Sequence, residues 1–153
     1  MTFTVRCSAM VYRVDPVAVA WFKKLFHLDK YGAAHGELLR ELTTTEGELS
    51  RYDVFDWPGF DYVFRDDGEY TDLQITDRDG YFNSKHIFAL MQTYFTKFRP
   101  FSYISVHYTH GREKPIDGSF WGGCYFITKD YVKSASMHDW EASQIVRWST
   151  LDI

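Results

Sequence analysis

Apolar and polar residues alternate along the start of the chain, and this spacing of two predicts a half-buried strand over residues 2–12. Asp15 and Pro16 then mark a helix start, because Asp caps helix N-termini and Pro fits the first helical position. A leucine stripe predicts a second, shorter helix from His35 to about Thr44.

The middle of the chain predicts a hairpin followed by a helix. Residues 60–65 and 70–76 have strand character, and the Asp-Asp-Gly-Glu tract at 66–69 is typical of a tight turn. Residues 84–98 then place apolar side chains at i, i+3, i+4 and i+7, capped by Asn83 or Ser84. Pro100 ends this helix, which is the clearest element of the sequence.

The last third predicts a strand at 101–109, a loop at 118–123, a strand at 124–128 and a final helix at about 138–148. Trp140, Ile145 and Trp148 are the candidate core residues of that helix. The order β-α-α-β-β-α-β-β-α predicts an α+β fold: a mainly antiparallel sheet with helices packed on one face, in two layers. We expect a single domain over residues 1–153.

Composition favours an intracellular protein with an aromatic core. Of 153 residues, 45% are hydrophobic and 19% aromatic, enough for a core without disulfides or metal. Cys7 and Cys124 are expected to be buried thiols in a reducing compartment. The N-terminus lacks a signal-peptide pattern and no apolar run approaches the roughly 18 residues of a membrane span. We therefore expect a cytoplasmic location in a bacterial host, no membrane contact and no cofactor.

Charge is distributed unevenly. The segment from Glu41 to Asp79 contains twelve acidic residues and three arginines. Its net charge is therefore −9, in a chain whose total is −4. One hypothesis is an acidic face that binds a protein partner with a basic surface. The alternative is a set of solvated turns, where Asp is favoured for local reasons. The candidate partner-binding acids are Asp53, Asp56, Asp66, Asp67, Glu69, Asp77 and Asp79.

Basic residues collect later in the chain, among them Lys97, Arg99, Lys129 and Lys133, with aromatic residues between them. Basic patches with exposed aromatic rings can bind single-stranded nucleic acid. Most of these aromatics, however, occupy core-facing positions in the predicted elements. Nucleic-acid binding by this chain is therefore not expected.

Three residues are candidates for catalysis. His107 and His110 form a close pair, but residues three apart on a strand point to opposite faces, and a metal needs three or four convergent ligands. No metal site is predicted. Cys124 is a conceivable nucleophile beside His107, since their strands are expected to be neighbours. The alternative is a surface or hydrogen-bonded histidine pair and an inert thiol.

The tract from Asp117 to Gly123 is the most distinctive in the sequence. It is not a phosphate-binding loop, because no Gly-Lys-Ser/Thr follows and a strand comes next. Its glycines suit a bulge or a close approach of another backbone. Phe120 and Trp121 are either core residues or exposed anchors for a partner.

The second half of the chain resembles small uncharacterised proteins of bacterial plasmids and phages. The shared features are a Phe-Asp-Tyr strand at 60–62, an acidic hairpin, and a helix ending Tyr-Phe-Thr-Lys-Phe-Arg-Pro at 94–100. A basic loop with Pro115 and the Phe-Trp-Gly-Gly tract at 120–123 complete the pattern. The family pattern has a Cys-Ser-Lys-Pro-Arg tract before the glycines. Here residues 109–115 lack that cysteine, so any role it has does not transfer.

The resemblance implies a mobile-element setting and brings no established activity. Our leading hypothesis is a non-enzymatic protein-interaction module, an anti-CRISPR-like inhibitor of a bacterial defence system. It would act through the acidic face and the aromatic-glycine tract. The first alternative is a small hydrolase or transferase that uses His107, His110 and Cys124. The second is a structural domain that self-associates, for example as a homodimer with an aromatic interface.

Overall fold

The computed structural model of the chain describes residues 3–7, 10–27, 33–45, 47, 49, 57–78, 83–112, 121–136, 142–147 and 149. Its strands form two sheets in which every pairing is antiparallel. The four-stranded sheet has the order β1 (Phe3–Cys7), β5 (Ile104–Arg112), β6 (Trp121–Ile127), β7 (Val132–Ser136). The three-stranded sheet has the order β2 (Met10–Val14), β4 (Thr71–Thr76), β3 (Asp61–Asp66).

Two of the helical segments begin where their predicted capping residues, Asp15 and Asn83, place them. A 3₁₀ turn at Pro16–Ala18 leads into α1 (Val19–Phe26), and Asp15 accepts a hydrogen bond from the backbone N–H of Val17 at 3.1 Å. Helix α2 spans Ala33–Glu41, helix α3 spans Ser84–Phe98, and residues 142–147 are also helical. Asn83 caps α3 by accepting from the backbone N–H of His86 at 3.2 Å.

The α+β class and the antiparallel sheet predicted from the sequence are confirmed, and the predicted element order broadly matches. Two differences refine it. The single strand expected over 2–12 is two strands, β1 and β2, and they belong to different sheets. Strand β7 was not predicted, because Val-Lys-Ser-Ala-Ser contains too few apolar residues for a periodic signal.

The β3–β4 hairpin forms as its turn residues predict. Gly68 has a φ of +91°, a conformation that glycine adopts without steric cost. Behind the turn, Leu73 and Ile75 are fully buried while Tyr62 and Phe64 are half-buried on the same face. The hairpin predicted over these residues is confirmed.

Helix α3 joins the two sheets through aromatic contacts. Tyr94 meets Tyr12 of β2 edge-on, with ring centroids 5.5 Å apart, and Phe88 meets Tyr125 of β6 in the same geometry at 4.9 Å. Tyr94, like Phe22 of α1, is fully buried, and such burial stabilises a fold by about 1.5–3 kcal/mol for each large side chain. The predicted aromatic core is confirmed, and it lies between α1, α3 and the inner faces of both sheets.

The C-terminal helical segment differs from its prediction. Ile145 was expected in the core, but its side chain is 59% exposed, and that of Val146 is 65% exposed. This expectation was wrong, because no residue of 142–147 joins the buried cluster. The other candidate core residues of this helix, Trp140 and Trp148, lie outside the described residues.

Candidate functional site

The four-stranded sheet has an inner face that joins the core and an outer face that meets solvent. On β5, Ile104 and Val106 are buried, whereas Ser105 between them and His107 after them are exposed. The register places Ser105 opposite Phe126 and His107 opposite Cys124 on β6. Because directly opposed residues project to the same side of a sheet, Phe126 and Cys124 belong to the outer face.

Three aromatic rings are stacked at one end of this outer face, and we call them the aromatic row: Tyr103, Phe126 and Tyr131. The centroids of Tyr103 and Phe126 are 5.1 Å apart with an interplanar angle of 27°. Phe126 and Tyr131 are 6.4 Å apart at 28°. Tyr103 is 62% exposed and Tyr131 is 42% exposed, so the row is open to solvent.

Lysines flank the aromatic row at the β6–β7 turn. The Lys133 ammonium lies 5.2 Å from the ring centroid of Tyr131, within cation–π range. Lys129 lies 3.6 Å from the carboxylate of Asp130 in the turn itself. Thr128 shapes that turn, since its hydroxyl accepts from the backbone N–H of Asp130 and of Tyr131, each at 3.2 Å. One short hairpin therefore holds Phe126, Tyr131 and both lysines, and Tyr103 stacks on Phe126 from the residue before β5.

His107 and Cys124 lie side by side further along the outer face. The prediction that their strands are neighbours is confirmed, since the two residues are direct partners in the β5–β6 register. Opposed side chains in an antiparallel pair have Cβ atoms about 4.5–5.5 Å apart, which allows a thiol and an imidazole to interact. Cysteine catalysis usually has a third, orienting group; the nearest acid in the sequence before Cys124 is Asp117, which lies outside the described residues.

His107 and His110 lie in the same uninterrupted strand, three residues apart. Strand β5 runs unbroken from Ile104 to Arg112, and the backbone of His110 is paired with Trp121. Among the described residues, no group of three or more His, Cys, Asp or Glu side chains is arranged to hold a metal ion.

The tract from Asp117 to Gly123 is not wholly a loop. Strand β6 begins at Trp121, so Trp121, Gly122 and Gly123 are paired with β5 and were wrongly expected in a loop. The local pattern favoured a loop because glycine is depleted in strands, whereas pairing with β5 extends through both glycines. The Tyr108 side chain covers Gly123: a methyl group there would be 2.5 Å from the Tyr108 hydroxyl oxygen. The close approach of another backbone, one of the two predicted alternatives, is confirmed at Gly123, where an added methyl group would contact the carbonyl oxygen of Ala135. Phe120 and the side chain of Trp121 lie outside the described residues.

The acids of the β3–β4 turn serve the turn itself. Asp66 accepts from the backbone N–H of Gly68 at 2.9 Å, and Asp67 accepts from those of Tyr70 and Glu69 at 2.7 and 3.1 Å. These bonds, that from Tyr70 above all, hold the pKa of Asp67 below its usual value. The carboxylate of Glu69 makes no hydrogen bond or ion pair with any described residue, and the residue is exposed.

Other acids of the negative segment are paired with cations. Asp61 binds Arg78 at 3.0 Å, and Asp72 lies 3.6 Å from Arg13. Asp77 is half-buried. Asp53, Asp56 and Asp79, which were also predicted to bind a partner, lie outside the described residues. Most of these acids therefore shape a turn or pair with a cation, and Glu69 lies exposed at the tip of the hairpin.

A cleft of about 230 Å³ lies between α1 and α2, away from the four-stranded sheet. At its wall Glu41 accepts hydrogen bonds from the Trp21 indole N–H and from the Lys97 ammonium, both at 2.7 Å. The bond from Lys97, followed by that from Trp21, holds the pKa of Glu41 below its usual value. Both acids of the cleft lie near a lysine, Glu41 beside Lys97 and Glu37 at 3.9 Å from Lys24, which is the pattern of a structural contact between helices.

Sequence reasoning missed Tyr103 and Phe126 as surface residues. The alternation of Tyr103 with Ile104 was a usable signal, because it placed Tyr103 opposite the core side of the strand. For Phe126 no such signal existed, because its side of the sheet depends on the register between β5 and β6.

None of the helices in the described ranges is long and apolar enough to cross a membrane. No protein family model, no curated protein and no solved structure matches this chain.

Proposed function

We propose that this chain is a non-enzymatic interaction module whose main contact surface is the aromatic row on the outer face of the four-stranded sheet. The observation that supports the proposal is the exposure of large rings: Tyr103 is 62% and Tyr131 is 42% exposed, although the chain has a core that buries other aromatics fully. Exposed aromatic residues gathered at one place are typical of binding surfaces, where they supply most of the affinity.

The acidic β3–β4 hairpin is the second contact surface of the proposal. Its tip presents the exposed carboxylate of Glu69, and Asp67 remains charged because backbone N–H groups stabilise its carboxylate. A protein partner with a basic surface would fit this tip. Surface charges mainly affect the rate at which two proteins associate. Replacing Glu69 with Lys should therefore lower the association rate constant and weaken its dependence on salt.

The cellular role that we propose is based on the resemblance to plasmid and phage proteins. In that setting a small binding protein in the bacterial cytoplasm would inhibit a host defence system, such as a CRISPR–Cas complex, by occupying it. This role remains a prediction, which a plaque or plasmid-interference assay with the wild type and the Tyr103→Ala variant would test.

Capture from a bacterial lysate tests the module directly. Immobilised wild-type protein should retain a specific partner, and Tyr103→Ala should lose it because the outer end of the aromatic row is removed. Val17→Ala is the control, since Val17 is 76% exposed on the 3₁₀ turn and belongs to neither contact surface. Light scattering of the purified chain shows whether the partner is a second copy. A partner retained equally by Tyr103→Ala, or no partner at all, would contradict the proposal.

A small hydrolase or transferase is the second candidate, and one observation favours it: His107 and Cys124 are direct partners across β5 and β6. In this mechanism His107 would take the thiol proton, and the Cys124 thiolate would attack the carbonyl carbon of an ester to form a thioester. The carbon–oxygen bond of the ester would break, and the alcohol would leave with the proton returned by His107. Incubation with an activated ester, followed by intact-mass measurement, should then give an adduct on Cys124 that His107→Ala slows strongly. An adduct that forms no faster than on a free cysteine peptide excludes the candidate.

A further inference from the structure

The geometry of the aromatic row indicates which class of partner it binds. The rings of Tyr103, Phe126 and Tyr131 follow one another with interplanar angles of 27° and 28°, so their planes are nearly parallel. Hot spots for protein partners are usually anchors that fill pockets. A series of nearly parallel rings on a flat sheet instead offers π-faces to flat ligands.

The end of the row is available to such a ligand. Among the described residues, Tyr103 stacks on Phe126 alone, and with 62% of its surface exposed it leaves its other side open. A flat aromatic ligand placed there would extend the existing stack. Phe101, two residues earlier, is 97% exposed, so the chain leaves room for a ligand at this end of the aromatic row.

Charge around the row favours an anionic partner. Lys133 lies against Tyr131, and Lys129 occupies the same turn with its side chain 35% exposed. Asp130 is the acid of this turn, and its carboxylate is already 3.6 Å from Lys129. Flat rings beside two lysines match a ligand that combines aromatic groups with phosphates.

We propose that the aromatic row binds single-stranded nucleic acid, with bases stacked on Tyr103 and Tyr131 and with Lys129 and Lys133 next to the phosphates. Bases stack on exposed aromatics of four-stranded sheets in known RNA-binding modules, and stacking with basic side chains suffices for binding without sequence preference. The inference rests on the proposed function, because it names the partner of the same surface. A duplex hides its base faces, so it should bind more weakly.

The sequence led to the opposite expectation, because the aromatics considered there were assigned to the core. That assignment holds for Tyr94, which is fully buried, and in part for Phe98, which is half-buried. It fails for Phe101 and Tyr131, which were also among those aromatics and are 97% and 42% exposed. Tyr103 was not among them, and its exposure follows from its place on the outer face.

Fluorescence anisotropy with labelled oligonucleotides of about 12 thymidines or uridines tests the inference, since a strand of this length covers a typical site. We expect wild-type protein to bind them, and to bind the matching duplex at least ten-fold more weakly. Tyr103→Ala and Tyr131→Ala should each weaken binding by about ten-fold, whereas Tyr103→Phe, which keeps the ring, should not. Lys133→Ala should weaken binding and reduce the slope of log K against log salt by about 0.7.

Two matched controls isolate the row from general effects. Val17→Ala removes an apolar side chain that is 76% exposed on the 3₁₀ turn, and Lys23→Ala removes a lysine that lies 5.5 Å from the ring of Phe64. Both variants should bind like the wild type. Circular dichroism and thermal unfolding should show that all variants fold.

The inference is overturned if no oligonucleotide binds, if the row variants bind like the wild type, or if the duplex binds equally well. Treating the lysate with nuclease separates this failure from failure of the proposed function. A protein that is captured after nuclease treatment and lost with Tyr103→Ala would keep the module and reject nucleic acid as its partner. Capture that disappears on nuclease treatment supports the inference.

Discussion

The side chain of Tyr108 on β5 lies directly over the backbone of Gly123 on β6. A methyl group on Gly123 would be 2.5 Å from the Tyr108 hydroxyl oxygen, 2.7 Å from its ring carbon Cζ, and in contact with the carbonyl oxygen of Ala135. Since the carbonyl of Ala135 belongs to β7, the neighbouring strand cannot simply move away. We expect Gly123→Ala to lower the free energy of unfolding by about 1–3 kcal/mol.

Gly36 provides the matched control for this substitution. It lies in α2, where an added methyl group would meet no atom within 4 Å. Gly36→Ala should therefore stabilise the protein by about 0.5–1 kcal/mol through helix propensity. Urea unfolding monitored by circular dichroism measures both changes. Equal effects of the two substitutions would show that the contact with Tyr108 does not constrain Gly123.

The same pair shows where sequence reasoning succeeds and where it ends. A glycine in a strand indicates a close approach, but only the register identifies Tyr108, fifteen positions earlier, as the neighbour. The span of α3 could be predicted because its apolar spacing and the Asn83 cap are local properties. The two-sheet arrangement could not, because it depends on the chain leaving one sheet after Cys7 and entering the other at Met10.

The candidate site was only partly predictable for the same reason. Alternation along β5 placed His107 on the side of the strand opposite Ile104 and Val106. The strands of His107 and Cys124 were expected to be neighbours, and the two residues are direct partners. The aromatic row, in contrast, combines the residue before β5, one residue of β6 and one of the β6–β7 turn. Its stacking depends on the registers of separate segments, which no local pattern contains.

Gln92 of α3 connects three parts of the fold, and its removal should be costly. Its side chain is buried; Oε1 accepts from the Thr45 backbone N–H at 2.8 Å and Nε2 donates to the Thr128 carbonyl oxygen at 2.9 Å. Gln92→Leu would leave these partners unsatisfied. We expect it to lower the free energy of unfolding by about 2–3 kcal/mol, as measured by urea unfolding.

The matched control for Gln92 is Gln74, a half-buried glutamine on β4. Its side chain makes no hydrogen bond with any described residue. Gln74→Leu should therefore change the free energy of unfolding by less than about 0.5 kcal/mol. If the two variants were equally stable, the hydrogen bonds of Gln92 would not contribute to stability.

Glu41 should make stability fall in acid. Its pKa in the folded protein is lowered by the hydrogen bonds from Lys97 and Trp21, so the folded state favours the carboxylate. The stabilisation is fully present above the usual value of 4.5 and is lost as pH falls below it, through the lowered folded value. Thermal unfolding across this acid range should show the loss for wild type and a smaller loss for Glu41→Gln.

Glu37→Gln is the control for that titration. Glu37 lies 3.9 Å from Lys24, and both side chains are largely exposed, so this pair contributes little to stability. The acid dependence of Glu37→Gln should match that of the wild type. An acid profile that Glu41→Gln leaves unchanged would mean that the bonds to Lys97 and Trp21 do not persist in solution.

Tyr94 should make the fold sensitive to alkali. Burial raises the pKa of Tyr94 from 10.0 to about 12, although its hydroxyl accepts from the backbone N–H of Asp15 at 3.1 Å. The folded state thus favours the neutral phenol; the stabilisation is complete below pH 10 and is lost as pH rises toward 12.

The variant Tyr94→Phe tests this pH dependence. It should reduce the alkaline loss but lower the free energy of unfolding by about 1 kcal/mol at neutral pH, because the Asp15 N–H loses its acceptor. Unfolding curves at neutral and alkaline pH measure both effects, and Tyr103→Phe, an exposed tyrosine, should show neither. Equal alkaline unfolding of Tyr94→Phe and the wild type would contradict the assignment, because Tyr94 would then not be the group whose ionisation opposes folding.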